Sequence, residues 1–490
     1  MALDVVHWGG RWGPAPAIVG TTAWNGMGFS PHQVWAWRRA EMNALAESPF
    51  LCRNGSRAIM AFIRTLPVRA RGPERLRIIA EALLRPLLAR LGALPAGSKV
   101  GLVVCLAERF DDAAPAPLRK GRGELEAALL ALLRSRGLEV VHIFVPRGHA
   151  SLAHGIIEAN AVLSSRDIDV AIVGGLDTYY DPDVVESLLE QNRIFDGENL
   201  DSFIPGEGGA FCLIARSDIA SRYKWPVLAR VESAASNEEP AHRGTDLPCL
   251  GLGLSRPMRA ISDRLLGEHR VIDFWLGDVT NEDYRNQEWL LAIPRACADV
   301  TKPKATSMQF LPAFLGDLGA ATMATAAVLA VESFLRGDLK ADNCLIFGSS
   351  FGEHRGAVLL ASESSAPAAT EGGSRAPQPA TGPASIPPRR ASREIPAASP
   401  PKEATPGAVA PSATELGAKL GLISYASACA EAAVYPPRTA AAWTKYGLAG
   451  LAVVAEHEAW RRHFEKYPEE RAEFDRQFEQ LKEHWRTQKP

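Results

Sequence analysis

The chain lacks a dominant charge, a long hydrophobic run and a recognisable targeting segment. Its 490 residues include 54 basic and 56 acidic side chains, for a formal net charge of -2, so the totals do not indicate nucleic acid or an anionic membrane as a partner. The longest apolar runs fall far short of the ~20 residues that a membrane-spanning helix needs. The opening residues show neither a basic stretch followed by an apolar one nor an Arg/Ser-rich amphipathic pattern. We therefore expect a soluble, cytoplasmic protein.

The seven cysteines are odd in number, scattered and never arranged as CxxC. This distribution gives no disulfide framework and no zinc knuckle, and nothing else in the sequence predicts a metal ion or a cofactor. Cys105 and Cys212 lie in the strand-like apolar runs GLVVCLAERF and GGAFCLIAR. In such a setting a cysteine is usually a small hydrophobic core residue, so we expect neither to be a catalytic thiol.

Three blocks follow from the composition, which is 47% hydrophobic and 22% charged overall. From about residue 15 to 361, short β-rich apolar runs alternate with helical stretches, which predicts a mostly parallel sheet covered on both faces. Residues 362–412 are rich in Ala, Pro, Ser and Gly and predict a flexible linker. Residues 413–490 predict a small helical module. Strand density is similar before and after residue 220, which favours two related halves, 1–220 and 221–361.

Nine strands are predicted in the first block, because each apolar run is short and β-rich. They span residues 17–20, 100–106, 139–145, 170–174, 210–214, 226–234, 271–276, 344–347 and 357–360. Helices are predicted between them, among others at residues 74–91, 123–136, 152–164 and 320–336.

The C-terminal module contains large apolar side chains near helical spacing among dense charges. Pro468 should divide this run into two helices. One interpretation is that the apolar stripe packs on the module itself. The other is that it binds a partner protein at the end of a tether, whose reach grows with the square root of its length. The candidate partner-binding residues are Trp460, Phe464, Phe474, Phe478 and Trp485.

The segment GHASLAHGIIEANAVLSSRDIDVAIVGGLDTYYDPDV, which begins at Gly148, resembles the central stretch of the β-ketoacyl synthases, members of the thiolase superfamily. In that family a nucleophilic cysteine opens a buried helix, and a strand ending in Gly-Gly follows. Gly174 and Gly175 match that pair. A Gly-Glu-Gly signature comes next, in a turn whose carboxylate is suited to holding neighbouring loops by hydrogen bonds. It is matched by Gly206, Glu207 and Gly208.

Three further stretches follow the family's order and spacing. DFWLGDVTNEDYRNQEW lies where the family has its first catalytic histidine, and FLGDLGAATM lies where it has the second. CLIFGSSFG, with Phe347 and Gly348, lies where the family has a glycine-rich loop beside the nucleophile. Together the motifs cover about residues 18–360. The resemblance implies a five-layered αβαβα sandwich of two pseudo-repeated halves, and a strand-edge dimer with itself or with a related ketosynthase-like chain.

The residues that carry condensation chemistry in the family are absent from the matching positions. Counting along the motifs places the nucleophile at His149, and no cysteine occurs between Cys105 and Cys212. The two histidine positions fall on Gly277 and Gly316. The nucleophile position therefore has no thiolate to hold the acyl group, and glycine cannot stabilise the enolate and its oxyanion as the two imidazoles do. We therefore expect a chain that does not condense acyl groups.

A different pocket is suggested by three other residues. Asp278 and Asp317 each follow a Leu-Gly pair at matching places in the second half, so that with His149 they would form a His/Asp/Asp group for general acid and base work. The structural interpretation, which we favour, is that each aspartate caps the helix after it and that His149 is hydrogen-bonded at a helix start.

Two functions are therefore considered. The first is a non-enzymatic binding, pairing or adaptor subunit, since degenerate members of the family act as partners of active synthases and others are associated with bacterial secretion-system cargo. Its partners would be a ketosynthase-like chain, an acyl carrier or a secretion cargo. The alternative is an acyltransferase-type enzyme, an acyl-thioester transferase or hydrolase, that uses His149.

Overall fold

The computed structural model describes residues 3–10, 13–164, 168–301, 307–337, 341–363, 419–434, 439–448, 456, 459–460, 463–464 and 466–487. The chain divides into two compact units, Met1–Gly372 and Gly373–Pro490. Nearly all of the predicted linker, residues 362–412, lies outside the described residues. Among the described helices, none combines the length and the apolar character needed to cross a membrane.

The first unit is built on one 11-stranded sheet, with a separate hairpin formed by the third and fourth strands. In chain order the strands are β1 (Asp4–His7), β2 (Ala17–Asn25), β3 (Ala46–Leu51), β4 (Arg57–Met60), β5 (Lys99–Leu106), β6 (Glu139–Pro146), β7 (Val170–Thr178), β8 (Glu207–Ala215), β9 (Ala229–Glu238), β10 (Phe274–Gly277), β11 (Ser307–Phe310), β12 (Asn343–Ser349) and β13 (His354–Ala361).

The sheet consists of two halves with the same strand order. It runs β11-β10-β12-β13-β9-β2-β8-β7-β5-β6, and β1 pairs beside β9. In the first half β2, β8 and β7 are antiparallel neighbours, and β5 and β6 continue as parallel strands. In the second half β9, β13 and β12 are antiparallel, and β10 and β11 continue as parallel strands. The two pseudo-repeated halves that the sequence predicts are therefore present, and they meet where β2 pairs with β9.

The helices of this unit cover both outer faces of the sheet and separate its two halves. They are α1 (Pro31–Arg39), α2 (Gly72–Leu91), α3 (Ala116–Arg134), α4 (Ser151–Ser164), α5 (Pro182–Glu190), α6 (Ser217–Arg222), α7 (Leu252–Gly267), α8 (Asp283–Cys297), α9 (Pro312–Leu315) and α10 (Thr322–Arg336).

Alternate residues of the buried strands assign the layers, because successive side chains of a strand point to opposite faces. Leu102 of β5 packs with α2 and α3, whereas Val103 joins a cluster shared by α4 and α10. On β12, Ile346 joins that same central cluster, and Leu345 packs with α7 and α8. The layers therefore run helix, sheet, helix, sheet, helix, which confirms the predicted five-layered αβαβα sandwich.

Some elements differ from the prediction for identifiable reasons. The run predicted as a strand at 271–276 starts pairing only at β10, because the side-chain amide of Asn343 donates to the carbonyl of Val271 at 2.8 Å and Ile272 makes only an isolated bridge. Strands β1, β3, β4 and β11 were missed, since they are only four to six residues long. Such short strands carry no extended apolar run.

The carboxylate of Glu207, at the start of β8, ties three segments together. Its Oε1 accepts the backbone N–H of Ile63 at 2.6 Å, and its Oε2 accepts the Thr178 hydroxyl at 2.8 Å and Nε of Arg75 at 2.6 Å. Both members of this ion pair are buried. The Gly-Glu-Gly turn therefore holds neighbouring loops, the role that its composition suggests.

Replacing Glu207 by glutamine should lower the free energy of unfolding by about 3 kcal/mol, because it leaves Arg75 as a buried charge without its counter-ion. Urea denaturation followed by circular dichroism measures this value. The matched control is Glu81→Gln on α2, which breaks a partly exposed pair with Arg77 and should change stability by no more than about 0.5 kcal/mol. Equal effects of the two substitutions would contradict the role assigned to Glu207.

The second unit is a small helical module with its own core. Its described helices are α11 (Leu422–Val434), α12 (Thr439–Lys445) and α13 (Pro468–Thr487), so a helix does begin at Pro468. Trp460, Phe464 and Phe474 are buried in one cluster with Tyr425 and Trp443. Phe478 is partly buried against that cluster, and Trp485 is also only partly exposed. The apolar stripe thus packs mainly on the module itself, and its binding to a partner remains a proposal.

Candidate functional site

His149 lies in a short 3-10 turn, Gly148–Ala150, directly before α4. Only 2% of its side chain is exposed. Gly148 enters the turn with a φ of 56°, a left-handed conformation that suits glycine. The Ser350 hydroxyl accepts the N–H of Ala150 at 3.1 Å and donates to the carbonyl of Arg147. The glycine-rich loop after β12 therefore holds the start of α4, as the resemblance implies.

Of the two candidate aspartates, Asp317 contacts His149 directly and Asp278 does not. Nε2 of His149 lies 2.6 Å from Oδ1 of Asp317, and the same oxygen accepts the N–H of Gly319 at 2.8 Å, so this aspartate also caps the turn before α10. Asp278 accepts the N–H of Ser349 at 2.7 Å and has no described contact with His149. It does not cap α8, whose N-cap residue is Glu282.

Arg285, on the first turn of α8, joins these groups into one network. Its guanidinium is buried and donates to Oδ2 of Asp278 at 2.9 Å. It lies 3.7 Å from Oδ2 of Asp317 and 3.1 to 3.3 Å from the two ring nitrogens of His149. The predicted His/Asp/Asp group is thus a His149–Asp317 pair with Arg285 between it and Asp278.

The contacts of His149 determine which ring nitrogen carries the proton. The Asp317 carboxylate only accepts hydrogen bonds, so Nε2 donates to it. One guanidinium nitrogen of Arg285 lies 3.3 Å from Nδ1 and 3.1 Å from Nε2, so it lies beside the imidazole and is not aligned with the lone pair of Nδ1. A permanent positive charge therefore stands next to the ring nitrogen that a general base would use.

The electrostatics of Asp317 follow from the same contacts. Burial alone would raise its pKa, but His149, Arg285 and the N–H of Gly319 favour the ionised carboxylate and lower the pKa to about 2. Asp317 is therefore a carboxylate at neutral pH, and it is unsuited to act as a general acid.

Further charged residues surround this network. The buried carboxylate of Glu282 accepts a hydrogen bond from Nε of Arg193 at 2.8 Å. The more exposed guanidinium of Arg243 lies 3.6 Å from the same carboxylate. The ring of Phe351 lies 3.8 Å below the guanidinium of Arg193 and 4.9 Å from the ring of His149. Three buried carboxylates thus face three arginines, and the formal charges balance.

The two glycines at the predicted histidine positions are tightly enclosed. A Cβ atom on Gly277 would lie 2.4 Å from the ring of Phe347. A Cβ atom on Gly316, whose φ is 63°, would lie 2.8 Å from the carbonyl oxygen of Ile204. Neither position has room for an imidazole unless its surroundings move.

The thiol of Cys105 packs against the start of α4 and is structural. Sγ of Cys105 lies 3.1 Å from the carbonyl oxygen of Ser151, at the start of α4. Complete burial raises its pKa well above the ordinary range, and burial raises the pKa of Cys212 to about 12. Both stay protonated at neutral pH, so neither supplies the thiolate that acyl transfer needs.

Comparison with known proteins shows what this architecture resembles. No family model and no curated relative matches the chain. The ketosynthase from module 6 of the bacillaene synthase of Bacillus subtilis 168 is 15% identical, with a TM-score of 0.54 over 71% of this chain and 72% of that one. The chain has the thiolase-type fold of the ketosynthases. The ishigamide ketosynthase/chain length factor is 15% identical, with a TM-score of 0.57 over 71% of this chain and 99% of that one. The structure of a type II acyl-carrier protein in complex with its ketosynthase also matches. It is 12% identical, with a TM-score of 0.57 over 71% of this chain and 99% of that one.

Four residues around His149 are not predicted from the sequence. They are Arg193, Glu282, Arg285 and Phe351. Arg285 stands in the quoted segment DVTNEDYRNQEW, where charged neighbours on both sides suggest an exposed helix start. Arg285 is buried because it contacts His149 and Asp317, which are distant in the sequence. Its own neighbours in the chain do not indicate these contacts.

His154, one turn along α4 from His149, gives a testable pH dependence. Burial and the nearby charge of Arg147 lower its pKa to about 4, and the ring of His354 lies 5.5 Å away. In the unfolded chain a histidine takes up its proton near pH 6.5. The unfolded state therefore binds more protons below that pH, and stability falls as the pH drops from about 6.5 towards 4.

His154→Gln should reduce the loss of unfolding free energy between pH 7 and pH 5 by about 2 kcal/mol. Urea denaturation at the two pH values measures the loss. His32→Gln, on the exposed side of α1, is the control. A loss in His154→Gln as large as in the wild-type protein would show that this buried imidazole does not govern the slope.

Proposed function

We propose that this chain is a non-enzymatic ketosynthase-like subunit that acts by pairing with, or adapting, other proteins in the cytoplasm. The observation that carries the proposal is the position of Arg285. Its guanidinium contacts His149, Asp317 and Asp278 at once, at the start of the helix where a ketosynthase would present its nucleophile.

This arrangement is unsuited to acyl condensation for chemical reasons. Condensation needs a nucleophile that forms a covalent acyl intermediate and donors that stabilise the developing oxyanion. Nε2 of His149 instead contacts the carboxylate of Asp317, and a guanidinium nitrogen of Arg285 lies close to both ring nitrogens. Any movement of Arg285 to admit a substrate would leave Asp278 and Asp317 as buried charges without their cation, which costs several kcal/mol.

One observation favours the alternative, an acyl-thioester hydrolase or transferase. The 2.6 Å contact between His149 and Asp317 is the geometry by which a carboxylate orients a catalytic imidazole. The imidazole would act as a base only if the positive charge of Arg285 moved away from the ring. The two functions therefore make opposite predictions about turnover.

Incubation with short- and medium-chain acyl-thioesters should give only background thiol release, and His149→Ala should release thiol at the same rate. Thiol release is followed with a chromogenic reagent. Folding of the variant is checked by circular dichroism, since His149 is buried. Wild-type turnover clearly above background that disappears in His149→Ala would overturn the proposal in favour of the hydrolase.

The pairing surface that we propose is the edge of the sheet at β6. Among the described residues β6 pairs only with β5, so its other edge is open. Open edges favour pairing with another strand. Val141 in the middle of β6 has 43% of its surface exposed. These features support the strand-edge dimer that the resemblance implies, with a second copy or with a related chain.

The wild-type protein should have twice the mass of one chain in light scattering, and Val141→Lys should shift it to the monomer, because two like charges would meet across the edge. Leu335→Lys, at an exposed apolar residue near the end of α10, should leave the mass unchanged. A wild-type monomer, or a Val141→Lys dimer, would contradict pairing of identical chains through β6.

The helical module is the second element of the proposed adaptor. Side chains of α11 and α13 pack together in its core, which also contains Trp460. Phe474 of α13 is among the buried residues. Phe478 and Trp485 are only partly buried, which leaves apolar surface for a helix of another protein. One of the similar structures contains an acyl-carrier protein, so an acyl carrier is a candidate partner beside a secretion cargo.

A further inference from the structure

A second group of polar residues lies outside the His149 network, where the loop after β9 meets α8. Glu239 follows β9, Cys249 lies in the loop before α7, and Glu288 lies on α8. One ligand atom from each lies within 4.8 Å of the others. We propose that Glu239, Cys249 and Glu288 form a binding site for Zn²⁺.

The loop before α7 that carries Cys249, here called the cysteine loop, lies directly against α8. Gly251 has a φ of 63°, and a Cβ atom there would lie 2.8 Å from the carbonyl oxygen of Glu288. Arg295, two turns further along α8, donates to the carbonyl of Leu250 at 2.5 Å. Cys249 is thus held beside Glu288 by its neighbours in the chain and does not depend on a metal for its placement.

The carboxylate of Glu288 provides an unused ligand. The residue is fully buried, and Oε1 accepts Nε of Arg355 at 2.5 Å. The side chain of Ser349 also hydrogen-bonds to this carboxylate, whereas Oε2 is buried and has no partner of ordinary geometry among the described residues. An unpaired oxygen in such a place is costly. A cation bound to Oε2 would remove that cost.

The other two ligands are already oriented. Oε2 of Glu239 accepts the N–H of Gly253 at 2.7 Å, and Oε1 accepts the N–H of Ala241 at 3.2 Å. The N–H of Gly251 donates to the sulfur of Cys249, but burial and the nearby carboxylate of Glu288 raise the pKa of this thiol, so a bound cation would have to displace its proton. Backbone donors of this kind fix ligand orientation and are typical supports of a metal site.

The charges of the group point to a divalent cation. Glu239 and Glu288 carry two negative charges, and Arg355 compensates one of them. When Cys249 binds as a thiolate, the three ligands and Arg355 sum to two negative charges, which one divalent ion neutralises. A sulfur ligand with two carboxylate oxygens suits Zn²⁺ better than Mg²⁺ or Ca²⁺, which prefer oxygen alone.

The geometry is compatible with a tetrahedral ion that keeps one open position. Ligands at about 2.0 to 2.3 Å from Zn²⁺ lie roughly 3.5 Å from one another, so closing the group from its present spacing requires movements of about 1 Å. Cys249 is only half-buried and lies in a loop, and it is the ligand free to make them. The fourth position would be taken by water.

The test uses the full-length chain, treated with a chelator, dialysed and titrated with Zn²⁺ in competition with a chromophoric chelator. The wild-type protein and Cys429→Ser, the matched control at the other half-buried cysteine, should each bind one Zn²⁺ per chain. Cys249→Ser should bind at least about tenfold more weakly. Zn²⁺ should raise the melting temperature of the first two proteins and leave that of Cys249→Ser unchanged.

Co²⁺ provides a direct check on the sulfur ligand. The wild-type complex should show thiolate-to-Co²⁺ charge-transfer absorption, which Cys249→Ser should lack. The proposal is overturned if the wild-type chain binds no Zn²⁺, if Cys249→Ser binds it as tightly, or if the Co²⁺ complex has no thiolate band. Glu288→Gln is not used, because it would leave Arg355 without its partner and so confuse binding with folding.

Discussion

The pocket depends on one constraint: the guanidinium of Arg285 is buried and must be surrounded by negative charge. An unpaired charge in the interior is prohibitively costly, and the carboxylates of Asp278, Asp317 and Glu282 surround this one. His149 and Arg285 together lower the pKa of Asp317, and the carboxylate of Asp317 orients His149. With Arg193 and Arg243, the arginines of this region equal the three carboxylates in number, so their formal charges compensate one another.

Most of the fold could be predicted because its signals are local. The apolar runs of β5, β7 and β8 are long enough to mark buried strands, and the order of the glycine motifs indicates the thiolase architecture before any contact is known. The short strands β1 and β11 gave no comparable signal. Their pairing depends on neighbours that lie far away in the sequence.

The site was only half predictable for the same reason. His149 could be found by counting along the motifs and Asp317 by its place after a Leu-Gly pair, and the structure brings them to 2.6 Å. Arg285 and Phe351 belong to segments separated from His149 by more than 130 residues, and nothing in their immediate sequence shows that they are buried. The proposed Zn²⁺ ligands illustrate the same point, since Glu239, Cys249 and Glu288 come from three elements and match no ligand spacing. Scattered cysteines exclude a zinc knuckle but not a site assembled by the fold.

Helix α8 links the two sites. Arg285 and Glu288 are three residues apart, so they lie about one turn from each other on the helix. Arg285 holds the carboxylates around His149, whereas Glu288 pairs with Arg355 and borders Cys249. Gly251 packs directly on the carbonyl of Glu288. A shift of α8 that withdrew Arg285 from His149 would therefore also separate Glu288 from the cysteine loop. Zn²⁺ bound by that loop would hold α8, and with it Arg285, in contact with His149.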